Sequence, residues 1–259
     1  EFIVKNLKKL LAIVVCIAMM VPTVAFAATS SPAKVDVKSA TAKSLTYNAK
    51  SQTTTIVVNG KTLTLNKDFK VVSGSLKATK AGTYTVKIKG IGNYSGDTTV
   101  KYTVNAQQSY KATAAAKTYN AKNQTTKVTV KYGNTVLKRG TDYKITGVTR
   151  AKNAGKYKVT VKGINNYKGT KTIYYTINKA AQKSVKVKVN ASKKKITVSG
   201  VKAKAKVTYK SANKKVKVKN GKITVGKGVK KGTKVRITVK VAATKNYKAY
   251  SKSIIYKVK

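Results

Sequence analysis

An array of small all-β sandwich domains is predicted by three features of this 259-residue sequence. First, two stretches are copies of each other: Tyr47-Asn-Ala-Lys-Ser-Gln-Thr opens residues 47–104, and Tyr119-Asn-Ala-Lys-Asn-Gln-Thr opens residues 119–177. A period of about 73 residues is too long for a solenoid turn or a propeller blade and suits one small domain. Second, β-branched or aromatic residues alternate with Lys, Thr or Arg in Tyr84–Gly90, Tyr157–Gly163 and Val235–Val241. Period two buries the first set and leaves the cations in solvent. Third, turn residues fall between such runs, at Asn59-Gly60, Ala81-Gly82, Asn93 to Gly96, Gly133-Asn134, Asn220-Gly221 and Lys231-Gly232, and the chain has only two prolines and no sustained helical period after its leader.

The leader comes first in the chain. Lys5, Lys8 and Lys9 form a basic start, Leu10 to Val24 is an apolar run of signal-peptide length, and Ala25-Phe26-Ala27 is an A-x-A cleavage site. Residues 1–27 are therefore read as a secretory signal, with the mature chain starting near Ala28 and acting outside the cell. The apolar run is short and lacks a basic stop-transfer flank, which argues against a membrane anchor. Cys16, the one cysteine, leaves with the leader, and Val15 before it is too large for a lipid-attachment motif. A mature chain without thiols fits an exported protein of a Gram-positive surface better than a disulfide-stapled domain. Glu1 is not an initiator, so the sequence is expected to begin inside a longer reading frame or at a cloning scar.

After the leader, three modules are expected, at residues 34–106, 107–179 and 180–259. Each repeat offers about seven short strands, and a domain of this size buries only about 60% of its unfolded surface, so its core must be economical. Core positions read from the alternation in the first copy are Ile56, Val58, Leu63, Leu65, Phe69, Val71, Tyr84, Val86, Ile88, Val100, Tyr102 and Val104. The second copy supplies Val128, Val130, Val136, Leu137, Tyr143, Ile145, Tyr157, Val159, Val161, Ile173, Tyr175 and Ile177.

Particular residues carry a family resemblance. Lys138-Arg-Gly-Thr-Asp142-Tyr143, Asn153-Ala-Gly155-Lys-Tyr157, Gly163-Ile-Asn-Asn166-Tyr167-Lys-Gly169 and the closing Tyr175-Thr-Ile177 resemble the Ig-like repeats of Gram-positive, especially clostridial, surface proteins. Asp68-Phe69, Ala81-Gly82-Thr-Tyr84, Asn93-Tyr94-Ser-Gly96 and Tyr102 hold the same places in the first copy. The third segment departs from this pattern: Val207 to Val216, Asn220 to Val225, Gly232 to Val235 and Asn246-Tyr247 resemble a bacterial Ig-like group 2 module. The resemblance implies three tandem Ig-like β-sandwich domains serving as stalks or as adhesion and carbohydrate-contacting modules. It also implies a role for Asp68 and Asp142, because in Gram-positive Ig-like domains a buried acid can promote a Lys–Asn isopeptide cross-link.

Charge is the chain's most lopsided property. The full sequence carries 57 Lys and Arg against 5 Asp and Glu, a net +52, and removing three lysines and Glu1 with the leader leaves +50. Such a charge repels itself at low salt and calls for polyanions or counter-ions. Residues 181–259 hold 26 of the cations and no acid. Candidate polyanion contacts there are Lys193, Lys194, Lys195, Lys214, Lys215, Lys217, Lys219, Lys230, Lys231, Lys234 and Arg236. Each alone reads as part of a solvated face, but a merely soluble surface mixes both signs.

An inventory argues against catalysis and bound cofactors. There is no His, and after the leader the carboxylates are Asp36, Asp68, Asp97 and Asp142. A hydrolytic triad lacks its base, a glycosidase lacks two close carboxylates in one domain, and a zinc site lacks His and Cys. Asp68 and Asp142 recur at one repeat position, and the residue-level reading is a turn cap whose carboxylate takes backbone N–H groups. Tyr94, Tyr167 and Tyr247 follow Asn in one recurrent hairpin; the reading is a ring over a sandwich end with a wet hydroxyl, the alternative a sugar-stacking platform.

Three functional readings compete. The first is a non-enzymatic secreted or cell-surface adhesion or spacer protein, its basic face held on anionic wall polymers such as teichoic acid or on acidic glycans. The second is a nucleic-acid binder, disfavoured because Lys outnumbers Arg, whose fork reads bases, and because export removes the chain from the genome. The third is a non-catalytic part of a larger secreted carbohydrate-active enzyme. No sorting motif or membrane helix follows Lys259, so attachment is expected to be non-covalent.

Overall fold

A computed structural model describes residues 31–259, so the predicted leader and Cys16 lie outside the described residues. The described chain is all-β, with its strands gathered into paired sheets and one 3-10 turn at Val37–Ser39. By internal packing it divides into two compact units. One holds the described residues up to Thr41 with Ile56–Gly74 and Val86–Val100; the other holds Ala42–Thr55, Ser75–Thr85 and Lys101–Lys259. The first sequence repeat thus contributes to both.

In the smaller unit, Ile56–Val58 turns back on Lys61–Thr62 through Asn59-Gly60, both at positive φ (47° and 79°). Asn-Gly reaches that region at little steric cost, which is why the pair marks a hairpin in sequence. Phe69–Gly74 runs antiparallel to Val86–Gly90, with a bulge between Val71 and Ser73. Val35–Asp36 lies parallel to Tyr94–Ser95. Inward positions of these strands, Ile56, Val58, Phe69, Val86 and Ile88, are buried with Val37 and Leu63, while the intervening Lys87 and Lys89 stay exposed.

In the larger unit, the second repeat forms a sandwich of two sheets. One orders Lys111–Ala114, Val128–Tyr132 and Thr135–Val136; the other orders Lys117–Thr118, Thr170–Asn178, Gly155–Gly163 and Tyr143–Gly147. Between them lie Tyr110, Val130, Leu137, Tyr143, Val161 and Tyr167, continuing into Val159, Tyr175 and Ile177. The third segment repeats the scheme with Lys186–Asn190, Lys195–Ser199, Lys222–Val225 and Val216–Lys219 in one sheet and Val207–Ser211, Lys234–Val241 and Tyr250–Lys257 in the other. Its core includes Ile196, Val216, Ile223, Val235, Ile237, Val239 and Tyr256.

Two expected core residues face solvent. Leu65 is 46% exposed because the strand ends at Thr62 and Leu65 falls in the turn closed by Asp68; Val136 is 59% exposed because its neighbour Leu137 takes the inward position, and consecutive strand residues point to opposite faces. Tyr110, absent from the core expected by alternation, is buried, and its phenol donates to the Gly169 carbonyl (2.7 Å) while accepting from the Gly163 N–H (3.0 Å). Gly163 must be glycine: a Cβ there would come within 2.9 Å of the Lys168 nitrogen and 3.1 Å of the Tyr110 ring. Gly90 faces the same conflict with Ser95 in the first copy, at 2.7 Å. This close approach lets the Asn-Tyr hairpin fold back on its strand.

Candidate polyanion surface and module junctions

All eleven candidate cations are exposed, but they do not share one face. Lys195, Lys217 and Lys219 belong to the four-stranded sheet of the third segment, where Lys195 pairs across to Lys222 and Lys222 to Lys219. Lys234 and Arg236 belong to the opposite sheet, with Lys234 across from Lys257. Lys193 and Lys194 occupy the hairpin after Asn190, Lys214 and Lys215 the loop after Ser211, and Lys230 and Lys231 the loop before Lys234. The expected single basic face is therefore a module charged on both sheets and on its loops. Period two places lysine at outward positions of both sheets, because both inward faces are filled by Val, Ile and Tyr.

Like charges directly opposite on adjacent strands repel. Beyond Lys195, Lys222 and Lys219, the chain sets Lys111 across from Lys131, Lys144 across from Lys162 and Lys70 across from Lys89. The described ion pairs, Lys38–Asp36 at 4.0 Å and Lys87–Asp97 at 3.3 Å, lie outside the third segment, which has no acid to offer.

The loops of the third segment's far end converge on one cleft. Ala180 pairs with Tyr247 at the near end, where the Lys248 N–H also meets the Ala180 carbonyl (2.8 Å). At the other end the Gly226 N–H donates to the Lys215 carbonyl (2.7 Å), and Gly232 and Thr233 exchange hydrogen bonds with Val258. There Asn213, Lys214, Lys215, Gly228, Lys230 and Thr233 line an open cleft of about 560 Å³.

The recurrent acids act as turn caps. The Asp68 carboxylate accepts the Thr64 N–H and the Asp142 carboxylate the Lys138 N–H, both at 2.8 Å, while each Asp N–H returns to the carbonyl of the same partner. This is the residue-level reading, and it occupies the carboxylates that the resemblance links to cross-linking.

The recurrent tyrosines are packed, as the residue-level reading expects, and Tyr167 and Tyr247 also reach the preceding segment. Tyr94 and Tyr167 are buried, at 6% and 4% exposure, and Tyr247 is half-buried. Tyr167 sits edge-on to Tyr47, Tyr110 and Tyr132, with centroids 5.6, 6.2 and 6.0 Å away. Tyr247 sits edge-on to Tyr119 at 5.4 Å. The tyrosine that opens each sequence repeat thus meets the hairpin tyrosine of the next segment. The preceding asparagine completes the contact: Asn166 Oδ1 accepts the Ala81 N–H (2.9 Å), and Asn246 Oδ1 accepts the Ala154 N–H (2.8 Å). Gln107 adds to the first junction by donating to the Tyr47 carbonyl and the Tyr132 hydroxyl, both at 3.1 Å. The signal was present in sequence as recurrent Tyr-Asn-Ala-Lys, Ala-Gly and Asn-Tyr, but alternation says nothing about which repeat a side chain touches. Rings enclosed this way do not offer a sugar platform.

Two expected outcomes follow from this packing. Burial, with Tyr47 and the Asp142 carboxylate adding, pushes the Tyr167 phenol up to about 12 from 10.0. The folded chain then holds this proton more tightly than the unfolded chain, so the associated stability is complete below pH 10 and is lost as pH rises toward 12. The urea midpoint of the parent should fall more steeply across that window than that of Tyr167→Phe, which has no phenol to titrate; identical slopes would show the phenol to be solvated. Second, Asn246→Ala removes the acceptor for Ala154 and the 3.1 Å bond to Asn153 Oδ1. With about 1 kcal/mol per hydrogen bond, exchange of the Ala154 amide should quicken roughly five- to tenfold, read by hydrogen-exchange NMR. Unchanged exchange would show that Asn246 does not protect it.

No family model matches the chain, and no curated relative matches it. Among solved structures it is similar to Drosophila N-cadherin EC1-4, at 11% identity over 85% of this chain and 73% of that one, with a TM-score of 0.25. It is also similar to Sidekick-1 immunoglobulin domains 1-5, at 12% identity over 86% of this chain and 58% of that one, also with a TM-score of 0.25. Among the described residues no helix is long and apolar enough to cross a membrane.

Proposed function

We propose that the protein is a non-enzymatic, exported array of Ig-like modules, at residues 34–106, 107–179 and 180–259, that acts as an adhesion or spacer element. Its Lys-rich third module holds anionic polymers of the cell wall, such as teichoic acid, or acidic glycans. The carrying observation is the row Lys195, Lys222 and Lys219 across three adjacent strands of a module without any acid. A fold that sets lysine opposite lysine at Lys195–Lys222, Lys219–Lys222 and Lys234–Lys257 is stabilised by a polyanion that neutralises the repulsion. The junctions support the spacer half of the reading: tyrosine pairs and Asn–amide bonds recur between successive repeats and resist bending. Pull-down of the mature chain on purified wall, mucin, heparin and DNA across a salt series tests it. Salt-sensitive retention on wall or heparin supports the proposal; retention on DNA alone would move the assignment to the nucleic-acid reading.

A further inference from the structure

We infer that the third module grips its polymer end-on, through the far-end cleft of Lys214, Lys215 and Lys230, and that the ligand is a chain of tetrahedral oxyanions, phosphodiester or sulfate. The inference rests on the polyanion reading and assigns the site within it.

In the first two repeats that end has a different task. There it docks the next segment: Tyr47 and Tyr119 present rings, and Ala81 and Ala154 present N–H groups. The third module has neither half. Register makes Val235, opposite Tyr256, the counterpart of Tyr157, opposite Tyr175, so Gly232 stands where Ala154 stands. The Gly232 N–H is already taken by the Val258 carbonyl at 2.8 Å. The short strand Lys117–Thr118, which delivers Tyr119 by pairing parallel to Ile177–Asn178, has no counterpart beside Tyr250–Lys257, where the sheet ends among the described residues. In place of a socket, this end carries exposed loop lysines.

Those loops are pre-set. Asn213 Oδ1 accepts the Lys215 N–H (2.8 Å), and Ser211 Oγ accepts the Asn213 N–H (3.2 Å) and donates to its carbonyl (3.0 Å). Thr233 closes the second loop by donating its hydroxyl to the Lys230 carbonyl (2.6 Å), and the Gly226 to Lys215 backbone bond ties both loops together. Three lysine stems therefore leave a fixed backbone around one cleft, so little loop entropy is lost when an anion enters. Ammonium groups are compact point charges on flexible stems, so three of them can meet different oxygens of one tetrahedral oxyanion without the coplanar geometry that an arginine fork requires of its partner. The sheet-face lysines Lys195, Lys222 and Lys219, by contrast, stand in a row across paired strands rather than around a cleft.

The test compares two full-length variants of equal net charge: K214Q/K215Q/K230Q at the cleft and K195Q/K219Q/K222Q on the sheet row. Binding to poly(glycerol phosphate) and to heparin is measured from 50 to 200 mM salt, with circular dichroism confirming the fold. The cleft variant should lose about 30-fold or more in affinity, and the slope of log affinity against log salt should fall by about three, while the row variant loses about threefold or less. Cleft-dependent loss on either polymer supports the inference, and the tighter polymer identifies phosphate or sulfate as the source. Equal losses from both variants would overturn the cleft and leave the polyanion reading standing. Absence of salt-dependent binding in the parent would overturn both.

Discussion

Replacing Tyr167 with alanine is expected to lower the unfolding free energy by about 3–5 kcal/mol, the range for deleting a large buried aromatic ring. Tyr167 is 4% exposed and meets three other tyrosine rings, one of them Tyr47 of the preceding repeat. Truncation would leave a cavity that neither the Gly163 turn nor the Tyr110 ring can fill, because both are already fixed by hydrogen bonds. Tyr167→Phe keeps the ring contacts and should cost far less. Urea denaturation measures both, and Tyr247→Ala, where the ring is half-buried against Tyr119, should fall between them. A sugar-stacking role would give the opposite signature: a stable alanine variant with lost glycan affinity. A loss under about 1 kcal/mol for Tyr167→Ala would remove the junction from the account of stability.

Alternation made most of the fold legible. In strands such as Gly155–Gly163 the inward Val159 and Val161 were assignable because each is flanked by polar residues. The rule failed where the strand stopped, at Leu65, and where two apolar residues stood side by side, at Val136 and Leu137. The site was legible only as composition. Sequence showed which lysines would be solvent-facing, but alternation alone cannot separate Lys195 and Lys219 on one sheet from Lys234 and Arg236 on the other. Their placement depends on which strands pair, which is set by long-range register. The junction contacts were out of reach for a related reason: Asn166 and Ala81 are 85 residues apart, and no local pattern links an Asn side chain to a distant backbone amide.

Reversing Lys193, Lys194, Lys195, Lys214, Lys215 and Lys217 to glutamate is expected to abolish retention on a polyanion while leaving melting unchanged or raised. The six changes lower the net charge of the chain by twelve, from +52 to +40. All six side chains are exposed, so no buried contact is lost. Lys195 faces Lys222 across the sheet, and K195E would turn a repulsive neighbour into an attractive one, worth roughly 0.2–1 kcal/mol at the surface. In a chain of this size about 1 kcal/mol corresponds to roughly 2–4 °C in melting temperature. For the parent, each neutralised anionic group releases counter-ions, and six to ten such contacts would weaken binding by about 10³–10⁵ between 50 and 200 mM salt. The sequence or sugar identity of the polymer should matter little, because point charges read charge spacing rather than bases or hydroxyls. Calorimetric melting and polymer binding on the same preparations separate the two effects. A variant that still binds as the parent does, or parent binding that ignores salt, would refute the electrostatic attribution to these six side chains.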